Sequence, residues 1–558
     1  MKYKLQFILV LLSFLFIQFI PNTSYSQFFK SWNSSYIISD SAVCIGTALG
    51  KFNTAVTGKV KNPVSGSDVH TVFYNLWTGQ PVRTVIYSTS ENEEPVDIKS
   101  SYNQDMFYVL CKRSDSAGKS SLFIIKYNGF GDQIWTSEYN GPVNEEQFPV
   151  SIGLVHNFFG NKFLYTTSKS YSKGDSTCKI LTQKIDSSGN YLWSSYYTDT
   201  TLAGSTNDVP VNIELSEDNL NTIVAGITTD SAGISQAMIL KYDSSGNVLW
   251  KQNWGTSVPR NNFVTCMDLK NNNFAVGGII QMGSTFDYFI LKYDMNGNLL
   301  WSQTYDGPGN GNDYMSDIGI DNSGSVVVTG SIYIDSVNKS DYGIVKYLST
   351  GNLQWANSFN GPASGNDSAV CMVIDNFNCI FVTGKTLDTT GYYCFGSKLY
   401  NQNGSTHWTR YFRSPALTGD NIPVGVSKQQ FTNSFSLTGN TFGDTLNSFT
   451  TLFYAGIIDG IEDNNSLNAG SYKLNQNYPN PFNPKTKINY ELHVTSGEFV
   501  SLKIFNVLGN EVATLVNEKQ NRGRYSVEFD GSNFSSGVYF YKLTYSDIST
   551  TMKMILLK

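Results

Sequence analysis

The stretch Phe289 to Tyr305, FILKYDMNGNLLWSQTY, constrains this chain more than any other, because it reads as a complete β-hairpin and is repeated. Phe289, Leu291 and Tyr293 share one face of an extended segment, and Leu299, Trp301 and Tyr305 share one face of the next. Asp294, Asn296 and Gly297 supply the turn between them, the Asp through its side chain and the Gly through its freedom to adopt positive φ. Copies end at Tyr139, Tyr197, Trp254, Phe359 and Phe412. A worn copy, VFYNLWTGQPVRTVIY, carries Arg83 and Tyr87 where the others have Trp and a terminal aromatic, and Trp32 and Tyr36 repeat the Trp-x-x-x-aromatic spacing near the start.

A second signal precedes the hairpins: VTG at Val56 to Gly58, VAG at Val224, VGG at Val276, VTG at Val328 and Val382, and LTG at Leu437. Each follows an apolar alternation and a polar turn, so a unit holds four strands with a period of roughly 50 to 58 residues, the arithmetic of a β-propeller blade. The last unit, NIPVGVS, SFSLTGN and SFTTLFYAGI, lacks a fourth strand, and the segment around Trp32 lacks the first three. Joining the two removes both open edges. The sequence therefore predicts an all-β chain with eight four-stranded blades closed by an N-terminal strand, seven being the fallback if the Trp32 match is fortuitous. Trp32, Trp135, Trp193, Trp250, Trp301, Trp355 and Trp408 are assigned to packing between blades. Lys126, Lys184, Lys241, Lys292, Lys346 and Lys398 precede the tryptophans at near-constant spacing, and a residue repeated in almost every blade cannot mark one active site.

The N-terminus has Lys2 and Lys4, an apolar run from Leu5 to Ile20 and small residues at Ser24 and Ser26, the pattern of a secretory leader cleaved between Ser26 and Gln27. Boundaries follow: a leader over 1–26, a propeller over 27–460, a polar linker over 461–471 and a second unit over 472–558, whose short strands suit a small Ig-like β-sandwich. The seven cysteines, an odd number, are read as free buried thiols. The net charge of −6 speaks against nucleic acid as a partner.

Little catalytic chemistry is legible. The Asp-x-x-Gly-Asn turns at Asp186, Asp243 and Asp294 lack the spaced carboxylates and closing Glu of an EF-hand loop, so they are read as turns. His70, His156, His407 and His493 stand in different units without ligand spacing, and no GxSxG, HExxH or phosphate loop occurs. No metal, cofactor or catalytic residue is expected. Carboxylates dispersed in sequence can still meet on a propeller face, which keeps a glycan-active hydrolase or lyase as the alternative.

The tail resembles the type A C-terminal sorting domain of the type IX secretion system of Bacteroidetes and their relatives. The resemblance is carried by NYPNPFNP (Asn477 to Pro484, with Pro479, Asn480 and Pro481), NVLGNEV (Asn506 to Val512, with Gly509), FSSGVYFYKL (Phe534 to Leu543, with Gly537 and Tyr539) and KMILLK (Lys553 to Lys558). Phe534 stands where that family usually has Leu. The resemblance implies Sec export to the periplasm, passage across the outer membrane by the type IX machinery as partner, and release or retention at the cell surface. The repeats resemble the SBBP family of secreted β-propeller proteins, which implies no particular catalytic activity. KYDSSGNVLW is also similar to the repeat of eight-bladed quinoprotein dehydrogenases, but their adjacent cysteine pair is missing. The expectation is a monomeric, non-catalytic binding scaffold for an extracellular glycan or protein, with the long connection TDTTLAGSTNDVP, Thr198 to Pro210, on its binding rim.

Overall fold

Period-two alternation broken by frequent turn residues can bury its apolar faces only as stacked antiparallel sheets, and the regular elements of the described residues are all strands. The computed structural model describes residues 26–458 and 472–558, apart from 40, 65, 102–103, 155–162, 175, 202–206, 217–220, 256–259, 337–338, 415–418, 430–433, 444–445, 475, 493–497, 507–509, 522 and 546–547. The expected leader up to Tyr25, the expected linker, His156, His493 and Gly509 thus lie outside the described residues. The chain divides into two compact units, Met1–Asp459 and Gly460–Lys558.

The first unit is a ring of eight four-stranded antiparallel blades. Blade 5 shows the pattern: Asn262–Lys270, Asn273–Met282, Thr285–Asp294 and Leu299–Tyr305, paired in that order from the inside outward. Blades 1, 2, 3, 4, 6 and 7 repeat it over 43–87, 92–139, 145–197, 207–254, 314–359 and 368–412. A single parallel bridge, Cys178 to Asn207, links blades 3 and 4. Blade 8 takes three strands from Asn421–Lys428, Phe435–Thr441 and Asn447–Ile458 and its fourth from Ser26–Ser39. That strand runs antiparallel to the third from Ser26 opposite Ile458 to Ser39 opposite Asn447, with Trp32 facing Phe453 and Tyr36 facing Phe449. The count of eight and the closure agree with the sequence, whereas strand already begins at Asn207, so the connection after blade 3 is shorter than the text TDTTLAGSTNDVP suggested.

Every innermost strand carries a β-bulge at the same place, between Cys44 and Gly46 in blade 1, Val264 and Cys266 in blade 5, Met315 and Asp317 in blade 6, and likewise round the ring. The extra residue kinks the strand and presses a carbonyl towards the second strand. That pressure accounts for the repeated glycine of the VxG signal: a Cβ on Gly330 would sit 2.1 Å from the Tyr314 carbonyl oxygen, and one on Gly384 2.0 Å from that of Ser368. All seven cysteines are free, and six of them are buried, Cys371 partly so. Cys266 and Cys371 follow their bulges, while Cys44 precedes its own.

Blades are joined by a donor pair. In blade 2, Lys126 and Trp135 stand opposite each other, and Lys126 Nζ and Trp135 Nε1 both donate to the Ser187 carbonyl in the outer hairpin turn of blade 3, each at 3.0 Å. Lys184 and Trp193 do the same to Ser244 (3.1 and 3.0 Å), and Lys241 and Trp250 to Met295 (2.8 and 3.3 Å). Trp301 donates to Ser349, Trp355 to Gln402, and Trp32 of blade 8 to Leu76 of blade 1. The indole ring covers the turn glycine of the next blade: a Cβ on Gly246, at φ 87°, would lie 2.7 Å from Trp193.

Blade 1 swaps the two residue types. Phe73 faces Arg83, and Arg83 pairs with Asp132 in the outer turn of blade 2. At the junction of blades 7 and 8 the device is missing for a topological reason. The outer strands of blade 8 come from opposite ends of the chain, so no hairpin turn lies there to accept, and the buried Trp408 Nε1 has no hydrogen-bond partner among the described residues. Lys398 does not belong to the lysine series. It stands opposite Thr409, one register step off, which turns its side chain to the other face, where the ammonium lies 4.6 Å over the Phe359 ring.

Burying the ammonium groups of Lys126, Lys184 and Lys292 pulls their pKa below the usual lysine value. Lys346 also forms a 2.8 Å ion pair with Asp321, both side chains being almost fully buried.

The second unit packs a three-stranded sheet (Tyr472–Leu474, Lys485–Leu492, Gly523–Asp530) and a four-stranded sheet (Glu498–Asn506, Glu511–Gln520, Gly537–Tyr545, Ile548–Leu556) around one core that includes Ile488, Tyr490, Leu502, Tyr541 and Leu556.

Two substitutions separate packing from hydrogen bonding. Trp301→Phe removes a bonded N–H and is expected to lower unfolding free energy by about 1 kcal/mol more than Trp408→Phe, which removes an N–H that has no acceptor. Denaturant unfolding of both variants measures the difference, and equal losses would contradict the role given to the bond.

Candidate functional site

Where the innermost strands line the axis of the ring, the bulge decides which side chains meet. The residues just after the bulges include Asp97, Ser151, Asn212 and Asp317, and two places further on come Lys99, Glu214 and Asp268. These groups belong to blades 2 to 6 yet act on one another's charge across the axis: Lys99 feels Asp97, Glu214 and Asp317, and Asp317 feels Asp268. Lys99 is solvent-exposed and lies within the field of carboxylates from blades 2, 4 and 6.

Most of these carboxylates hold backbone of the neighbouring blade. Asp97 accepts from Ile152 N–H (3.1 Å) and Ser151 Oγ (3.2 Å) of blade 3, and Asp317 accepts from Met372 N–H (2.8 Å) of blade 7. Asp268 accepts from Ile320 N–H (2.6 Å) of blade 6, and Asn212 donates to the Met267 carbonyl (3.1 Å) of blade 5. Glu214 makes no side-chain hydrogen bond among the described residues and sits in the field of Lys99, Asp268 and Asp97. Loss of hydration pushes both Glu214 and Asp317 up to about 7, Lys99 opposing the rise in each and Asp268 adding to it. Lys99 is held above the usual lysine range, mainly by Asp97. At the edge of the channel along this axis Lys428 donates to the Ile374 carbonyl and to Asn376 Oδ1 (both 2.9 Å), and burial pulls its pKa down to about 8.

The turn aspartates act as turn groups. Asp294 Oδ1 accepts from the N–H of Asn296 (2.8 Å) and Asn298 (2.9 Å), its Oδ2 accepts from Asn298 Nδ2 (2.8 Å), and Asp186 and Asp243 repeat this. His70 and His407 lie in blades 1 and 7, and burial lowers the pKa of each. On the rim that carries the blade-to-blade crossovers, the connection after blade 3 is anchored by Asp199. Its carboxylate takes Lys251 Nζ (2.8 and 2.9 Å) and Asn253 Nδ2 (2.7 Å) from the outer strand of blade 4, which together hold it down at about 2. A shallow cleft of about 390 Å³ opens on this rim between blades 2 and 3, beside Lys119, Val143, Glu145, Glu146 and Lys173.

In the second unit the separate motifs of the tail converge. Asn477 Nδ2 donates to the Pro479 carbonyl (3.0 Å) and to Thr486 Oγ1 (2.9 Å), while its backbone N–H donates to Tyr541 Oη (2.9 Å). Asn480 Oδ1 accepts from Ile555 N–H (2.9 Å), and Phe482 exchanges backbone bonds with Ile555 and Leu557 (both 2.9 Å). Pro479 and Pro481 both follow cis peptide bonds. Gly537 and Tyr539 begin the strand that pairs with the last one, Tyr539 opposite Met554, and Lys553 lies opposite Phe540. Lys558 reaches back through its N–H to Ser536 Oγ (2.9 Å) and through Nζ to the Ser532 carbonyl (2.6 Å).

The channel groups were not singled out in the sequence because the position after the bulge varies among glycine, aspartate, serine, asparagine and cysteine from blade to blade, with no one letter recurring round the ring.

Residues 476–557 match the secretion system C-terminal sorting domain. A chain with this tail is exported by the type IX system and is secreted or held at the cell surface. No curated protein matches the chain. Among solved structures, the WD40 domain of SCAP from fission yeast is similar at 10% identity, covering 77% of this chain and 98% of that one with a TM-score of 0.40. The β-propeller domain of the Trilobed protease from Pyrococcus furiosus is similar at 10% identity, covering 67% and 97% with a TM-score of 0.38. Chaetomium thermophilum Raptor aligns at 8% identity and a TM-score of 0.38 over 65% of this chain, which spans 28% of Raptor.

The raised carboxyls of Glu214 and Asp317 set a pH dependence. Both bind protons more readily folded than unfolded, so the stability they contribute is fully present below their ordinary values of 4.5 and 3.8 and is lost as pH rises through about 7. Glu214→Gln is expected to flatten the fall in unfolding free energy between about pH 5 and about pH 8 by on the order of 1 kcal/mol, a figure reduced for solvent in the channel. Denaturant midpoints at the two pH values measure it, and an unchanged fall would remove Glu214 from the account.

Proposed function

We propose that this chain is a non-catalytic recognition scaffold, delivered to the cell surface or medium through its sorting tail and holding an extracellular glycan or protein ligand on the crossover rim of the propeller. The observation that carries this reading is the engagement of the channel carboxylates. Asp97, Asp268 and Asp317 each accept an N–H from a neighbouring blade, so their orientation serves the ring and leaves no free pair to act as acid and base. The rim suits recognition, since its crossovers differ from blade to blade while the strands beneath are alike. The connection after blade 3, fixed at its base by Asp199, is the proposed contact loop.

One observation favours a second reading, a glycan-active hydrolase or lyase. Glu214, with a pKa of about 7 and Lys99 beside it, has the protonation state that a general acid needs at neutral pH. Turnover on a panel of polysaccharides that is lost in Glu214→Gln would establish the enzyme and end the scaffold proposal.

Two tests address the scaffold. In a secretion-competent host, removal of 472–558 is expected to leave a folded propeller in the periplasm, and its appearance in the medium would overturn the delivery role. Replacing 202–205 by a glycine-serine link, with Asp199 kept, is expected to abolish capture on a glycan and surface-protein array without lowering the melting temperature. Unchanged capture would move the contact surface elsewhere.

A further inference from the structure

We infer that the crossover from blade 5 to blade 6 binds a hard divalent cation, calcium being the one that fits, between Asp287, Asp306 and Asp313. One carboxylate oxygen from each of the three lies within 4.8 Å of the others. Each arrives for a different structural reason. Asp313 is fully buried and staples the crossover: its Oδ2 accepts from Gly307 N–H (2.5 Å) and its Oδ1 from Tyr333 N–H (2.8 Å), while its own N–H donates to the Phe286 carbonyl (2.7 Å). Equivalent staples recur at Asp208, Asp367 and Asn421. Asp313 is therefore explained by the fold.

Asp287 and Asp306 are not. Asp287 is only 5% exposed, its carboxylate makes no hydrogen bond among the described residues, and it points at two other carboxylates. Asp306 closes the group from the solvent side. A buried, unbonded carboxylate facing like charge is costly unless a cation or a proton accompanies it.

Blades 1, 3 and 7 meet that cost at the same places with their own side chains. In blade 6, Asp341 takes the position of Asp287 and keeps a buried Oδ1 without a hydrogen-bond partner among the described residues. It lies near Asp367 and Asp335, which are not drawn as close to it as the three carboxylates of blade 5 are to one another. The position of Asp287 in the third strand is taken by Lys179 in blade 3, which pairs with Glu145 at 2.9 Å, and by Asp68 in blade 1, which accepts from Asn62 Nδ2 (2.9 Å) and Ser88 Oγ (2.8 Å). The position of Asp306 is taken by Arg413 in blade 7, paired with Asp388 at 3.1 Å. Blade 5 alone among these draws three acidic groups together with no such partner. Arg260 is the cation whose charge reaches Asp287, and its guanidinium is directed to Met282.

The donor set is all oxygen, which selects calcium or magnesium over thiolate- and imidazole-seeking metals. A partly exposed loop with three carboxylates and room for water suits the variable coordination of calcium better than the strict octahedron of magnesium. Loss of hydration and mutual repulsion hold Asp287 and Asp313 up at about 6 in the metal-free chain, so a proton is the competing occupant.

The test uses the intact chain, stripped with EDTA and titrated with calcium chloride by calorimetry, and with terbium followed by luminescence sensitised through the nearby Tyr305. One site is expected, with a dissociation constant of roughly 10⁻⁴ to 10⁻³ M or tighter, as in extracellular calcium modules. Saturating calcium is expected to raise the melting temperature by about 2 °C or more. Asp306→Asn, at an exposed position, is expected to weaken binding at least about tenfold while leaving the metal-free chain at least as stable as the wild type, since it relieves part of the same repulsion. Asp287→Asn is expected to abolish binding and raise the metal-free melting temperature by relieving repulsion. Asp341→Asn, at the corresponding place in blade 6, is expected to leave calcium binding intact. Absence of calcium binding by the folded wild-type chain, or binding that survives Asp287→Asn with Asp306→Asn, would overturn the site and leave protonation as the means by which the cluster is neutralised.

Discussion

At the junctions after blades 2, 3, 4 and 6, a lysine ammonium and a tryptophan N–H directed at one backbone carbonyl of the neighbouring blade fix how the blades meet. A blade alone is a small twisted sheet with two open faces and an open edge, and it becomes stable only when its neighbours cover it. The donor pair converts that general need into a fixed position, because it requires the next blade to present a carbonyl at the tip of its outer hairpin with no Cβ beneath the indole. The Asp-x-x-Gly-Asn turn meets both demands, its aspartate bonding the turn N–H groups and its glycine taking positive φ. Turn and tryptophan therefore recur together, each tryptophan meeting the turn of the next blade.

The same requirement shows where sequence was a sufficient guide. The hairpins, the eight blades and the terminal exchange of strands could be read because aromatic residues and turn chemistry repeat in phase with the structure. Even the exception at Lys398 was written in the text, as a spacing of ten to Trp408 where the other lysines keep nine. The bulges could not be read, since a register shift is a backbone event, and only its consequence, the glycine of VxG, leaves a letter. The channel was hidden for a related reason: Gly46, Asp97, Ser151, Asn212 and Cys266 are structurally equivalent and chemically unalike. The acidic cluster of blade 5 was hidden because Asp287 and Asp306 look like ordinary strand and loop residues until the crossover folds them together.

In the sorting unit, residues from Asn477 to Phe482 and from Ile555 to Lys558 are distant in the chain and joined in space by the Asn480 and Phe482 bonds. What reads as several short motifs is one packed junction built from the start and the end of the domain, with Asn477, Phe482 and Leu556 buried in it.

The pairing of Ser26–Ser39 with Asn447–Ile458 has a kinetic meaning as well. During synthesis and export the first of these strands emerges long before its partner exists, and it must stay unpaired, or loosely held, while seven complete blades form behind it. The circle cannot shut until the last blade has arrived. Its final seam is thus a timing device, in which a strand made before the ring certifies that the last blade is in place.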